Sequence, residues 1–259
     1  MCLIAWSWQP GSATPLLLLS NRDEFYARAA LPLHWWEASV EQAGTVPTVL
    51  AGKDLQAGGT WLGVSRSGRL AALTNVRSGA PQRTDTPSRG ELVAAFLHSD
   101  ATAEDFLQQL VHVAGDYNPF NLLVCDGRHL LGLHSRTAQV QTMPAGIGGV
   151  SNAAFHTPWP KLSQLRHRLQ TQIDQAQTDA QQLLPLLHDR TLAPDAELPD
   201  TGVPLELERA LSAAFIATPG YGTRACSVIT LHQNRAEFTE QSFGPQGLIG
   251  QQQQVFALG

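Results

Sequence analysis

Apolar residues in this chain come mostly in short runs bounded by turn-forming residues, a pattern that predicts strands before it predicts helices. Cys2 to Trp8 and Leu16 to Ser20 are two such runs, and Gln9-Pro10-Gly11-Ser12 between them supplies turn chemistry. Thr60 to Val64 and Arg69 to Thr74 form a second predicted pair around Ser65-Arg66-Ser67-Gly68. The period then lengthens. Ser88 and Glu91 have capping-box spacing ahead of Leu92-Val93-Ala94-Ala95-Phe96-Leu97. Thr102 and Asp105 repeat the signal ahead of Phe106, Leu107, Leu110 and Val111, which share one helical face. Asn121 to Cys125, the Asp126-Gly127 turn and His129 to His134 predict a hairpin, and Val140 to Met143 and Ile147 to Ser151 add strands. Pro158 to about Asp189 and Leu205 to Ala217 read as helix, and residues 225–230 and 235–241 as paired strands. The Gln-rich run from Gln170 to Gln182 reads as a solvated helical face, and the tail around Gln251 to Gln254 carries no predicted element.

Strand pairs and helix pairs thus arrive in blocks, without strand–helix alternation. That order predicts an α+β protein of mainly antiparallel sheets covered by helices and excludes a doubly wound parallel fold. No linker or composition break interrupts it, so residues 1–259 are expected to form a single domain. A hydrophobic content of 43% with 15% charged residues excludes disorder. The net charge of -5 gives no attraction to nucleic acid or to an anionic membrane, and Leu16 to Leu19 is far too short for an integral membrane segment. The cysteines Cys2, Cys125 and Cys226 are far apart and form no CxxC, which suits a reducing, cytoplasmic location and implies neither disulfides nor a metal site. The histidines show no ligand spacing; His34, His112 and His156 are the candidates for binding haem.

Candidate chemistry starts at Cys2. If Met1 is removed, one residue carries both a thiol of pKa roughly 8.5 and an α-amine of pKa roughly 8, and so can serve as nucleophile and base together. Polar clusters sit beside the predicted strands: Asn21-Arg22-Asp23-Glu24, Thr74-Asn75-Val76-Arg77, Ser151-Asn152 and Tyr221-Gly222-Thr223-Arg224. An amide-cleaving site built on Cys2 needs an acid to hold its amine, for which Asp23 and Glu24 are candidates. It needs a cation near the thiolate, from Arg22 or Arg224, and oxyanion donors, from Asn75 and Asn152. Gly58-Gly59 reads as a backbone device that lets Trp61 pack, and Trp35-Trp36 as core or cleft wall. The arginines between Arg66 and Arg89 offer an anion site.

These clusters, with Gly58-Gly59-Thr60-Trp61-Leu62-Gly63, Ser88-Arg89-Gly90 and Pro158-Trp159-Pro160-Lys161, resemble the NRDE family, also called the transport-and-Golgi-organisation protein 2 family. The resemblance runs from Cys2 to about Ile229. That family is in turn similar to N-terminal-nucleophile hydrolases of the choloylglycine and penicillin-acylase type. The resemblance implies a four-layer αββα sandwich with Cys2 as nucleophile, Arg22 and Asp23 as its supports, Asn75 and Asn152 as oxyanion and orientation groups, and Arg224 as a late cation. Asn21, Glu24, Trp61 and Arg77 are expected to bind ligand in the same cleft. Adjacent strand residues point to opposite faces, so Arg22 and Asp23 both reach Cys2 only if their strand ends or bulges there. The implied activity is hydrolysis of a non-peptide carbon–nitrogen amide bond without a cofactor. The alternative it implies is a non-catalytic haem-trafficking or acyl-CoA and lipid-binding role for the same cleft.

Overall fold

A computed structural model describes residues 2–36 and 48–259. The chain opens with a hairpin, β1 (Cys2–Trp8) and β2 (Leu16–Phe25), whose strands alternate sides with a period of two. Ile4, Trp6, Trp8, Leu16 and Leu18 enter one apolar core, whereas Leu3, Ala5, Leu17 and Leu19 enter another. Both faces are buried, which is why these strands read as continuous apolar runs.

The strands that follow are β3 (Ala30–Trp35), β4 (Val49–Asp54), β5 (Leu62–Ser65) and β6 (Leu70–Asn75). After α1 (Gly90–His98) and α2 (Ala103–Val111) come β7 (Phe120–Cys125), β8 (Leu130–His134), β9 (Gln139–Thr142) and β10 (Gly146–Val150). Helices α3 (Pro160–Asp174), α4 (Ala180–Leu183) and α5 (Leu205–Ala210) precede β11 (Tyr221–Leu231), β12 (Arg235–Gly244) and β13 (Gly247–Ala257). One sheet has the order β10-β1-β2-β11-β12-β13; the other is a seven-stranded meander, β3 to β9 in chain order. Neighbouring strands pair antiparallel in both.

Three apolar layers separate four layers of backbone. Trp6, Leu18, Val64, Leu123, Ile229 and Phe238 fill the space between the sheets. Phe96 and Leu107 join α1 and α2 to the outer face of the meander, and Leu162, Leu165 and Leu169 seat α3 on the outer face of the other sheet. This is the expected αββα sandwich. Close approach of β10 to β1 requires glycine at 148, where a Cβ would meet the Trp6 indole at 2.2 Å.

Several expectations are corrected. The first strand pair extends through Asn21-Arg22-Asp23-Glu24, and β11 begins at Tyr221, so both motifs lie inside strands, not at their ends. The Thr102–Asp105 box forms, but the Ser88–Glu91 box does not: Arg89 is the N-cap and Glu91 accepts from the Tyr117 hydroxyl instead. Helix stops at Ala210, because Ile216 is hydrogen-bonded to Thr223 across a turn. Strands β3, β4 and β13 were not predicted; β13 carries the Gln251–Gln254 run on an exposed sheet edge.

The layer between the sheets also holds a fully buried acid. Glu240 on β12 is fully buried, accepts from the Leu33 amide at 2.8 Å and from the Ser227 hydroxyl at 3.4 Å, and its pKa is pushed up from 4.5 to about 7 by burial. Its folded pKa exceeds its unfolded one, so its stabilising proton is fully present below pH 4.5 and is lost as pH rises through about 7. Glu240→Gln is therefore expected to match the parent near pH 4.5 and to exceed it by about 3 kcal/mol at pH 8. Urea denaturation midpoints at the two pH values test this. Equal pH slopes in parent and variant would refute it.

Candidate functional site

The register of the first hairpin sets the site. Cys2 pairs with Arg22 across β1 and β2, and both sit in the phase that faces the second sheet. The Arg22 guanidinium donates to Asp54 on β4 at 3.1 Å and lies 4.2 Å over the Trp61 ring. Asp54 also accepts from Arg28 at 2.6 Å, and the Gln56 and Ala57 amides cap its other oxygen. Two guanidinium groups hold that carboxyl below its usual range despite partial burial.

Asp23 occupies the opposite phase. Its carboxylate accepts from the Thr223 hydroxyl at 2.7 Å, on the side where Asn21 donates to the Leu187 and Ala214 carbonyls at 2.8 Å each. The bulge needed to bring Arg22 and Asp23 to one side is not in β2; the irregularity lies in β11, between Thr223 and Ala225. Asp23 nevertheless approaches Cys2, because it stands one register step beyond the Cys2–Arg22 pair and its backbone amide bonds the thiol. Burial raises the Asp23 carboxyl, opposed chiefly by the Lys161 ammonium. Lys161 itself is buried on α3, donates to the Leu211 carbonyl at 2.9 Å, and is lowered to about 8 by burial.

Burial also raises the Cys2 thiol, with Asp23 adding to the shift and Arg22 opposing it. The thiol is therefore held protonated at neutral pH and needs a base to act as a nucleophile. It lines a cavity of about 100 Å³ with Arg22, Asp54, Trp61, Asn75 and Arg89. Two of the sequence motifs meet here through their glycines. A Cβ on Gly59 would lie 2.4 Å from the Gly90 backbone, and the Thr60 amide donates to the Gly90 carbonyl at 3.1 Å. The Gly58-Gly59 pair thus seats the start of α1 beside the thiol; room for Trp61 comes instead from Gly52.

Glu24, Arg28, Asn75 and Arg89 line both this cavity and a larger cleft of about 620 Å³. Phe25, Val76, Pro81, Val203, Leu207 and Leu211 give that cleft apolar walls. Asn75 ends β6 with its side chain at the junction. Asn152 is fully buried and donates to the Asn75 carbonyl at 2.9 Å, so it positions Asn75 and does not itself line either space. Arg77 lines the cleft but is ion-paired to Glu208 at 2.5 Å.

Not every expected residue converges. Arg224 lies in the β11 bulge and donates to the Phe25, Tyr26 and Arg28 carbonyls at 2.9–3.2 Å, so it clamps the turn after β2. Asn21 is a structural clamp on the helical side. Of the arginines from Arg66 to Arg89, only Arg77 and Arg89 reach the cleft; Arg66 stacks on Trp35 and Arg69 donates to the Phe96 and Ala101 carbonyls. His34, His112 and His156 line neither space. The residues that sequence reasoning did not single out are Arg28, Asp54, Lys161 and Glu208. Only Lys161 carried a signal, as the last residue of Pro158-Trp159-Pro160-Lys161.

Residues 1–245 match the family described as Transport and Golgi organisation 2. The chain belongs to that family. The bovine Transport and Golgi organization protein 2 homolog is 33% identical over 266 residues, covering 93% of each chain. The Drosophila melanogaster protein is 28% identical, covering 90% of this chain and 88% of its own. Among solved structures, the C2A mutant of a conjugated bile acid hydrolase from Clostridium perfringens superposes with a TM-score of 0.51 at 8% identity, over 99% of this chain and 92% of that one. A Caenorhabditis elegans N-acylethanolamine-hydrolyzing acid amidase ortholog gives 0.51 at 12% identity, over 88% of this family member and 92% of its own chain. These likenesses establish the N-terminal-nucleophile hydrolase fold. No helix among the described residues is long and apolar enough to cross a membrane.

Proposed function

We propose that this family member hydrolyses a non-peptide carbon–nitrogen amide bond with Cys2 as nucleophile, after removal of Met1. The observation that carries the reading is the position of the Cys2 thiol, in a small cavity beside Asn75 that adjoins an apolar cleft large enough for a substrate. The Cys2 amine takes the thiol proton as sulfur attacks the amide carbon, and Asp23 holds the resulting ammonium. The oxyanion accepts a hydrogen bond from the Asn75 side chain. Collapse to a thioester breaks the carbon–nitrogen bond, the ammonium returns its proton to the leaving amine, and water then hydrolyses the thioester. Arg22 compensates negative charge on sulfur, with its own position fixed by Asp54 and Trp61. Two fold neighbours, a conjugated bile acid hydrolase and an N-acylethanolamine-hydrolyzing acid amidase, support this reading by analogy.

Intact-mass measurement on protein from its native host tests the mechanism: loss of Met1 is expected, and quantitative retention overturns it. A cytoplasmic site of action goes with this reading, and the buried free thiols of Cys125 and Cys226 are compatible with it.

A second reading rests on charge. Arg28, Arg77, Arg89 and Arg136 border the apolar cleft, which suits an anionic amphiphile such as acyl-CoA or haem with its propionates. In that case the cleft carries cargo without turnover. Calorimetry with palmitoyl-CoA and a haem titration read at the Soret band decide it, and absence of both signals overturns it.

A further inference from the structure

The cations of the cleft differ in what already neutralises them. Arg28 faces Asp54 at 2.6 Å and Glu24 at 4.0 Å, and Arg77 is ion-paired to Glu208. Arg136 is exposed to solvent. Arg89 is different. It is half-buried, lines both the nucleophile cavity and the cleft, and has no carboxylate within ion-pair distance among the described residues. Glu24 acts on it only from further away. Its hydrogen bonds are long ones, 3.3 Å to the Pro119 carbonyl and 3.3 Å to the Gln82 side-chain oxygen. A guanidinium carries five N–H donors, and these two long contacts use only part of that capacity. Keeping a cation partly out of water without a counter-charge is unfavourable unless a ligand supplies the charge.

We infer that Arg89 is a specificity-determining residue that receives a substrate carboxylate beside the scissile bond, so that the substrates are amides joining an apolar acyl group to an amine bearing a carboxylate. The inference rests on the hydrolase reading of the same site. Three features fix the chemistry. The cavity next to the thiol is small, about 100 Å³, and admits a compact anion. The cleft beyond it has room and apolar walls for an acyl group. Guanidinium and carboxylate match each other in a two-pronged, charge-assisted pair, which a neutral hydroxyl cannot reproduce.

The test separates recognition from turnover. The probes are N-dodecanoylglycine and its neutral counterpart N-dodecanoylethanolamine, titrated calorimetrically into Cys2→Ala protein at low salt. The glycine conjugate is expected to bind about tenfold more tightly or better. Arg89→Gln should bring the two affinities to within about twofold, and Arg89→Lys should keep part of the preference. Unchanged thermal midpoints verify that the variants fold. Equal affinities in the Arg89 protein, a preference that survives Arg89→Gln, or binding of neither probe would each overturn the assignment. A preference that follows Arg89, in protein whose processed Cys2 form hydrolyses neither probe, leaves Arg89 as the anion site and removes the hydrolase reading instead.

Discussion

Cys2→Ala is expected to reduce amide turnover by about 10³-fold or more while leaving the fold and the affinity of the cleft nearly unchanged. The thiol is small and buried at a strand start, so its loss removes little packing. No other thiol replaces it. Cys125 lies in the core between the sheets, with its pKa pushed up to about 12 by burial, and Cys226 is buried in the core under the helices. Asn75→Ala should lower kcat by about 10²–10³-fold with a smaller effect on KM, the signature of a donor used mainly in the transition state. Steady-state kinetics on processed protein check both. Full activity in Cys2→Ala would end the nucleophile assignment, whatever the substrate.

The second large effect concerns stability. Glu208→Ala is expected to destabilise the fold by about 3–5 kcal/mol. Arg77 and Glu208 are both buried, and the Thr201 amide donates to the same carboxylate at 3.0 Å, as does the Thr201 hydroxyl. Removing the carboxylate strands the Arg77 guanidinium in a buried setting where Lys161 already repels it. The pair also ties the 201–211 segment, which supplies Val203, Leu207 and Leu211 to the cleft, to the end of β6. Replacing both partners, Arg77→Met with Glu208→Leu, should recover much of the loss, because no unpaired charge then remains. Denaturant midpoints for the single and double variants measure this. A double variant as unstable as the single one would show that packing, not charge, dominates.

The motifs were more legible than the roles within them. Asn21-Arg22-Asp23-Glu24 marks the site correctly, yet its four residues divide by strand phase. Arg22 faces the other sheet, Asn21 and Asp23 face the helices, and Glu24 sits at the cleft. Arg224 invites the role of a cation at the thiol, but the β11 bulge turns it toward three turn carbonyls. Strand β13 is not legible in the sequence because an exposed edge strand needs no apolar alternation. Nor is strand β3, because Pro32 and a register shift interrupt it.

What the sequence determines alone is local and periodic: the runs that become β1 and β2, the helical face of α2, the cap at Thr102, and the identity of a candidate nucleophile at position 2. Those features depend on neighbours within a few residues. Tertiary structure alone decides which charges meet. Asp54 joins Arg22 across 32 residues, Glu208 joins Arg77 across 131, and Lys161 approaches Asp23 from a helix. Such pairings depend on how two twisted sheets and their covering helices stack, and electrostatics acts through space without regard to chain order. Arg89 is the clearest case. Its type is visible in the chain, but its want of a counter-charge beside the thiol appears only when the layers are assembled.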